Sequence, residues 1–191
     1  MFQSALIGKI PRPRQNTAPA GMTWLANYAP SGATVDMTSV ISGDYTDYLI
    51  VGSGAIGTIG GEIHLRTSTD NGSSFTSSAS SYDYTIVVLR ADVGIARKGT
   101  STTSIYMASD GLLDGIGQGF DTRIWLYRPL DSSQRTRISF LTTYVDEGGG
   151  GVFISCVGAG MRNAAEANDA IQVFGAGNIT GKFAIYGVNG A

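Results

Sequence analysis

Residues 47–57 read Asp47-Tyr-Leu-Ile-Val-Gly-Ser-Gly-Ala-Ile-Gly57, an apolar run that ends in G-x-G-x-x-G. In a dinucleotide-binding unit such glycines follow a strand and open a helix whose N-terminus receives the pyrophosphate. An acidic residue about 20 positions on then holds the ribose. Here Gly57 is followed by TIGGEIHLRTSTDNG. Two more glycines, a segment alternating apolar and polar residues, and a turn leave no room for a helix, and Asp70 falls inside that turn. The glycines therefore read as the end of a strand and a glycine-rich crossing loop, and no cofactor is expected.

The segments around this stretch extend the β reading. Short runs of β-branched and aromatic residues recur between Gly, Asn, Asp and Ser clusters at 35–41, 45–51, 62–68, 84–89, 102–108, 122–127, 135–145, 152–157, 170–174 and 182–188. Such spacing suits an antiparallel β-sandwich. Several runs alternate with period two: Ile63 and Leu65 against Glu62, His64 and Arg66; Ile124 and Leu126 against Arg123, Trp125 and Tyr127; Ile138 and Phe140 against Arg135 and Arg137. That period places one face of each strand inside. The alanine-rich stretch 162–170 is the one helical candidate, and no repeat of solenoid or propeller length is visible.

Residues 1–35 behave differently. They hold no acidic residue, three basic ones (Lys9, Arg12, Arg14) and prolines at 11, 13, 19 and 30. Proline fixes φ and lacks an amide donor, so this reads as an extended arm that cannot bury itself and is expected to lie against another chain. Its candidate anchoring residues are Lys9, Pro11, Arg12, Pro13 and Arg14. The remainder, 36–191, is long enough for one core. The order of the apolar patch and basic residues at the start is the reverse of a secretory signal. No apolar run reaches the ~18 residues of a membrane helix, so no membrane insertion is expected.

Formal charge is −2 and 27 of 191 residues are glycine. Without a basic field, nucleic acid is not an expected partner. Cys156 is the single cysteine, which excludes an internal disulfide and a cysteine-based zinc site. It lies in the apolar run VFISCV and reads as a small buried residue. His64 is the only histidine, so any Ser-His-Asp arrangement would have to use it, while the plain reading is an exposed strand histidine. Carboxylates pair at Asp44/Asp47, Asp110/Asp114 and Asp146/Glu147 within glycine-rich loops, where turn and solvation roles are the plain reading and a metal or glycosidase site the sharper one. The stretch Ser68-Thr-Asp-Asn-Gly-Ser-Ser-Phe75 resembles a single Asp-box, a structural turn, and is expected to form a hairpin. Arg123, Trp125 and Tyr127 share a strand face opposite buried residues, which points to a subunit contact or sugar stacking, or else to a central strand covered on both sides.

Three further stretches carry a resemblance. LRTSTDNGSSFTSSASSYDY (65–84), GFDTRIWLYRPLDSSQRTRISFLTTYVDEGGGGVFISCVGAGMRN (119–163) and DAIQVFGAGNITGKFAIYGV (169–188) occur in an order that is similar to structural proteins of tailed bacteriophages and prophages, of the tail-fibre or minor virion type. The closing pattern is Gly177-Asn-Ile-Thr-Gly-Lys-Phe-Ala-Ile-Tyr-Gly-Val188, and the resemblance spans about 45–188. It implies an all-β, antiparallel β-sandwich of jelly-roll type, with residues 1–35 as a position-specific anchor. It brings no catalytic residues. The expectation is a non-enzymatic virion component, such as a fibre tip, spike or head decoration. It would be a homotrimer attached to other virion proteins by its arm, and could contact host-surface glycan through loops 111–119 and 146–151. The competing expectation is a polysaccharide depolymerase acting through loop carboxylates at a subunit interface.

Overall fold

A computed structural model describes residues 21–56, 61–90, 94–112, 119–146 and 151–189. Eleven strands are formed: β1 Met22–Tyr28, β2 Ser31–Met37, β3 Asp47–Ile56, β4 Gly61–Ser68, β5 Tyr82–Arg90, β6 Gly94–Thr102, β7 Ile105–Leu112, β8 Phe120–Tyr127, β9 Arg135–Asp146, β10 Val152–Ala165 and β11 Ala170–Val188. All pairings are antiparallel, and the described residues contain no helix. The all-β, antiparallel expectation holds.

β11, 19 residues long, is the spine. On one edge β1 pairs with 183–188 and β2 with 171–180. On the other edge β3 pairs with 179–188 and β4 with 170–175. β1 and β2 thus follow one another along one edge of β11, and β3 and β4 along the other. Pro30 occupies the gap between β1 and β2, where a missing amide donor breaks no ladder bond. From β3 the sheet continues through β8, β9, β10 and β5 to β6, while from β4 it continues to β7. A single pair, Leu112 with Asp146, links β7 back to β9. All eleven strands belong to one sheet, which is nearly closed into a barrel.

Of the opening glycines, Gly52 and Gly54 belong to β3 itself rather than to a loop, and Gly57 lies outside the described residues. Gly52 lies between Phe183 and Thr122 in the ladder, and a Cβ there would overlap the Phe183 ring. At Gly54 a Cβ would stand 2.5 Å from the carbonyl oxygen of Thr180. Phe183 and Phe120, both buried, lie 6.1 Å apart over this stretch. Glycine is present because aromatic rings take the space of its side chains, a packing device and not a phosphate cradle.

The period-two residues are placed as expected: Ile63, Leu65, Ile124, Leu126, Ile138 and Phe140 are buried. Other parts differ. Residues 22–28 and 31–35, counted with the arm on proline content, are sheet strands; residues 1–20, with Lys9, Pro11, Arg12, Pro13 and Arg14, lie outside the described residues. No helix forms at 162–170, because β10 continues to Ala165. There Arg162 donates to the Ser81 carbonyl (2.9 Å) and pairs with Glu166 (2.6 Å), and the Asn163 amide donates to the Ser81 carbonyl (2.8 Å). These tertiary bonds outweigh alanine's helical preference.

The Asp-box turn has the expected local chemistry. Asn71 and Gly72 take φ of 56° and 82°, and the Ser68 hydroxyl donates to Asp70 (2.6 Å), as does that of Ser74 (2.6 Å). These bonds hold the exposed Asp70 carboxyl at about 2. It is not a hairpin, however: β4 pairs with β7 and β11, and β5 with β6 and β10, so the turn links strands that are not neighbours.

Candidate interaction face

The strands of the long arm of the sheet, β6, β5, β10, β9, β8, β3, β11 and β1, share one outward surface. Seven strand spacings make it about 34 Å long when followed along the curved sheet. Ladder register sets the side chains in rows. One row carries Val87, Val157, Leu141, Arg123 and Val51 side by side. The next holds Ser139, Trp125, Leu49, Tyr186 and Trp24. A third holds Met161, Arg137, Tyr127, Asp47, Val188 and Met22.

Arg123, Trp125 and Tyr127, grouped from sequence, stand together in the middle of this face, opposite buried Ile124 and Leu126. The Trp125 and Tyr127 rings are parallel within 11° at 6.4 Å, and the Tyr127 hydroxyl is 2.9 Å from Ser139 Oγ. Arg123 is exposed and the two rings half-buried. The alternative that this strand is covered on both sides does not hold among the described residues.

Large exposed hydrophobic side chains concentrate here. Met22 (58% exposed), Trp24 (56%), Phe153 (56%), Leu89 (49%), Val157 (48%), Val87 (42%) and Val51 (38%) are on this face, and only Ile95 among those of the described residues is not. Exposed apolar side chains scattered singly need no explanation, but a contiguous patch marks a contact surface. The register that assembles them was not readable locally, since Val87 and Val157 are partners from distant parts of the chain. Hollows of about 710 and 590 Å³ indent the face, the first around Tyr127, Arg137 and Met161 and the second around Arg123, Lys182 and Val51.

The other candidates have structural partners. Asp44 accepts from the Ser42 hydroxyl (3.1 Å) and Asp47 from the Arg128 amide (3.0 Å). Asp114 and Glu147 lie outside the described residues, as do the side chains of Asp110 and Asp146. Among the described residues no cluster of three or more His, Cys, Asp or Glu could hold a metal ion. Cys156 is buried, its sulfur 3.9 Å from the Tyr144 hydroxyl.

His64 is less exposed than a solvent-facing strand histidine. Its Nδ1 lies 3.1 Å from Ser104 Oγ and its Nε2 3.0 Å from Glu62 Oε2, while its ring stacks on Phe174 at 5.1 Å. Ser104 is buried, so the chain of bonds ties β4 to the β6–β7 turn rather than presenting a hydroxyl to substrate. Burial lowers the His64 pKa from 6.5, against the opposing pull of Glu62. The unfolded chain therefore takes up this proton first as pH falls. Stability present above about 6.5 is lost between that pH and the lower folded value, and the loss then stops. Thermal melts from pH 7 to 5 should show this step in the native protein and lack it in His64→Gln; an identical step in both would contradict it.

No protein-family model matches the chain, and the search of curated proteins found no match.

Proposed function

We propose that the chain is a non-enzymatic structural component of a tailed-bacteriophage particle, a jelly-roll-type knob of a tail fibre, spike tip or head decoration. It acts as a homotrimer joined to neighbouring virion proteins. The observation that carries this reading is the outward face with seven exposed large hydrophobic side chains, a surface suited to a partner rather than to water. Closing copies around a symmetry axis covers such a face and limits open sheet edges. The order of the resembling segments adds support: 119–163 supply β8 to β10, and 169–188 supply the β11 spine, with the face built largely on both. The buried Ser104 and the turn-engaged Asp44 and Asp47 give no comparable support to a hydrolase. Density-gradient-purified particles from the producing host should contain the chain at fixed stoichiometry by mass spectrometry. A chain found only in the unassembled fraction overturns the proposal.

A further inference from the structure

The 710 Å³ hollow opens on the row of the outward face that ends at Met22. From Met22 the row continues through Val188, Asp47, Tyr127, Arg137 and Met161 to Asp83. Tyr127 is three strand spacings from Met22 and Met161 is five, about 14 and 24 Å along the sheet. Residues 1–20, outside the described residues, therefore join the sheet on the same row as the hollow. Gly21 takes φ of 142°, which residues other than glycine rarely adopt, so the chain has the freedom to fold back where it meets β1.

Length suits that path. Residues 11–20, PRPRQNTAPA, hold three of the five prolines of the chain. At about 3.1 Å per residue such a stretch spans about 31 Å, enough to pass Met161 and bring residues 1–10 to the hollow. A tether this short also keeps the segment at a local concentration in the millimolar range, so weak contacts suffice to hold it.

Chemistry suits it as well. Residues 1–10, MFQSALIGKI, carry Met1, Phe2, Ala5, Leu6, Ile7 and Ile10, and Lys9 is their one charged side chain. Tyr127, Met161, Ala159 and Gly160 line the hollow, with Lys98 and Arg137. The last two are exposed, and long charged side chains lend their stems to apolar contact while the charged ends stay in water. The Tyr127 ring is already held, its hydroxyl 2.9 Å from Ser139 Oγ and its plane near that of Trp125, so little ordering is lost on contact. Along the row two carboxylates, Asp47 and Asp83, stand against one cation, Arg137, which favours a segment with Lys9, Arg12, Arg14 and no acidic residue. The 590 Å³ hollow fits less well, since it is lined by Arg123 and Lys182 and by Asn27, toward the other end of β1.

We infer that residues 1–10 fold back into the 710 Å³ hollow of their own chain, their apolar side chains against Tyr127 and Met161, with residues 11–20 laid across Asp47. The segment expected to need another chain thus finds its cover on its own sheet. The inference does not depend on the virion proposal, because Leu89, Phe153, Val87 and Val157 remain exposed for a neighbour.

A nitroxide attached at position 3 tests it. Gln3→Cys introduces a thiol in the segment, and the one native cysteine, Cys156, is buried. The amide NMR signals of Tyr127, Arg137, Met161 and Lys98 should be weakened severalfold and recover when the nitroxide is reduced. Adding Leu6→Asp and Ile7→Asp should abolish the weakening, with retained amide dispersion showing that the sheet is intact. Signals at the hollow that never weaken, or weakening that survives the two aspartates, overturn the inference. In a mixture of nitroxide-labelled protein and isotope-labelled protein without nitroxide, the isotope-labelled signals should stay sharp. Weakening at the hollow in that mixture overturns the same-chain assignment and makes the segment an exchange between copies.

Discussion

Phe183→Ala is expected to destabilise the protein by about 3–5 kcal/mol, the range for removing a fully buried phenylalanine and leaving its cavity. Phe183 is wholly buried in β11, where that strand is held by β1 on one side and β3 on the other. Its ring fills the space above Gly52. The converse change, Gly52→Ala, places a methyl group in that ring and should cost about 1–3 kcal/mol through overpacking. The two effects share one volume and cannot be additive. In Gly52→Ala combined with Phe183→Leu, the smaller side chain should recover part of the loss, measurable by urea unfolding. Strict additivity would show that Gly52 is glycine for another reason.

The second large effect concerns assembly. Val87 and Val157 are cross-strand partners on the outward face, each more than 40% exposed. Changing both to aspartate puts adjacent like charges where a neighbouring subunit is proposed to sit. Substitutions at exposed positions usually change folding stability by within about 0.5 kcal/mol; two facing aspartates add some repulsion. The native protein should be an oligomer by light scattering, and the double variant a folded monomer with an unchanged circular dichroism spectrum. An oligomer of unaltered mass in the variant would move the interface elsewhere.

How much of this was legible in the sequence depends on the range of the interactions involved. The strands 62–68, 122–127 and 135–145 announced themselves because alternation is local: Leu65, Ile124 and Phe140 are buried where period two puts them. β1 was obscured by its bulge. The register slips at Leu25, so Met22 and Trp24 point outward while Ala26 and Tyr28 point to the core, and the period is lost within seven residues. β6 is exposed along nearly its whole length and shows no apolar period at all. The helix expected at 162–170 failed for the opposite reason, since long-range bonds from Ser81 decide the backbone there.

For the candidate site, Arg123, Trp125 and Tyr127 were visible as one strand face. The residues that make a surface of them were not. Met161, Lys98 and Asp83 come from strands β10, β6 and β5, and only the ladder order places them beside Tyr127 and Arg137. The link of His64 to Ser104 was likewise hidden by their separation of 40 positions in the chain. The glycine-rich stretch at 52–57 illustrates the same limit. Its plain reading excluded a nucleotide, but the ring that requires Gly52 lies at position 183.

Both tryptophans of the chain, Trp24 and Trp125, stand on the outward face and in the same row. Their fluorescence is therefore a direct report on whether that face is covered. Across a concentration series, assembly should shift the emission to the blue and reduce quenching by iodide, and in the Val87→Asp/Val157→Asp variant quenching should stay the same throughout. Emission and quenching that stay constant, together with a monomer mass at every concentration, would contradict the account.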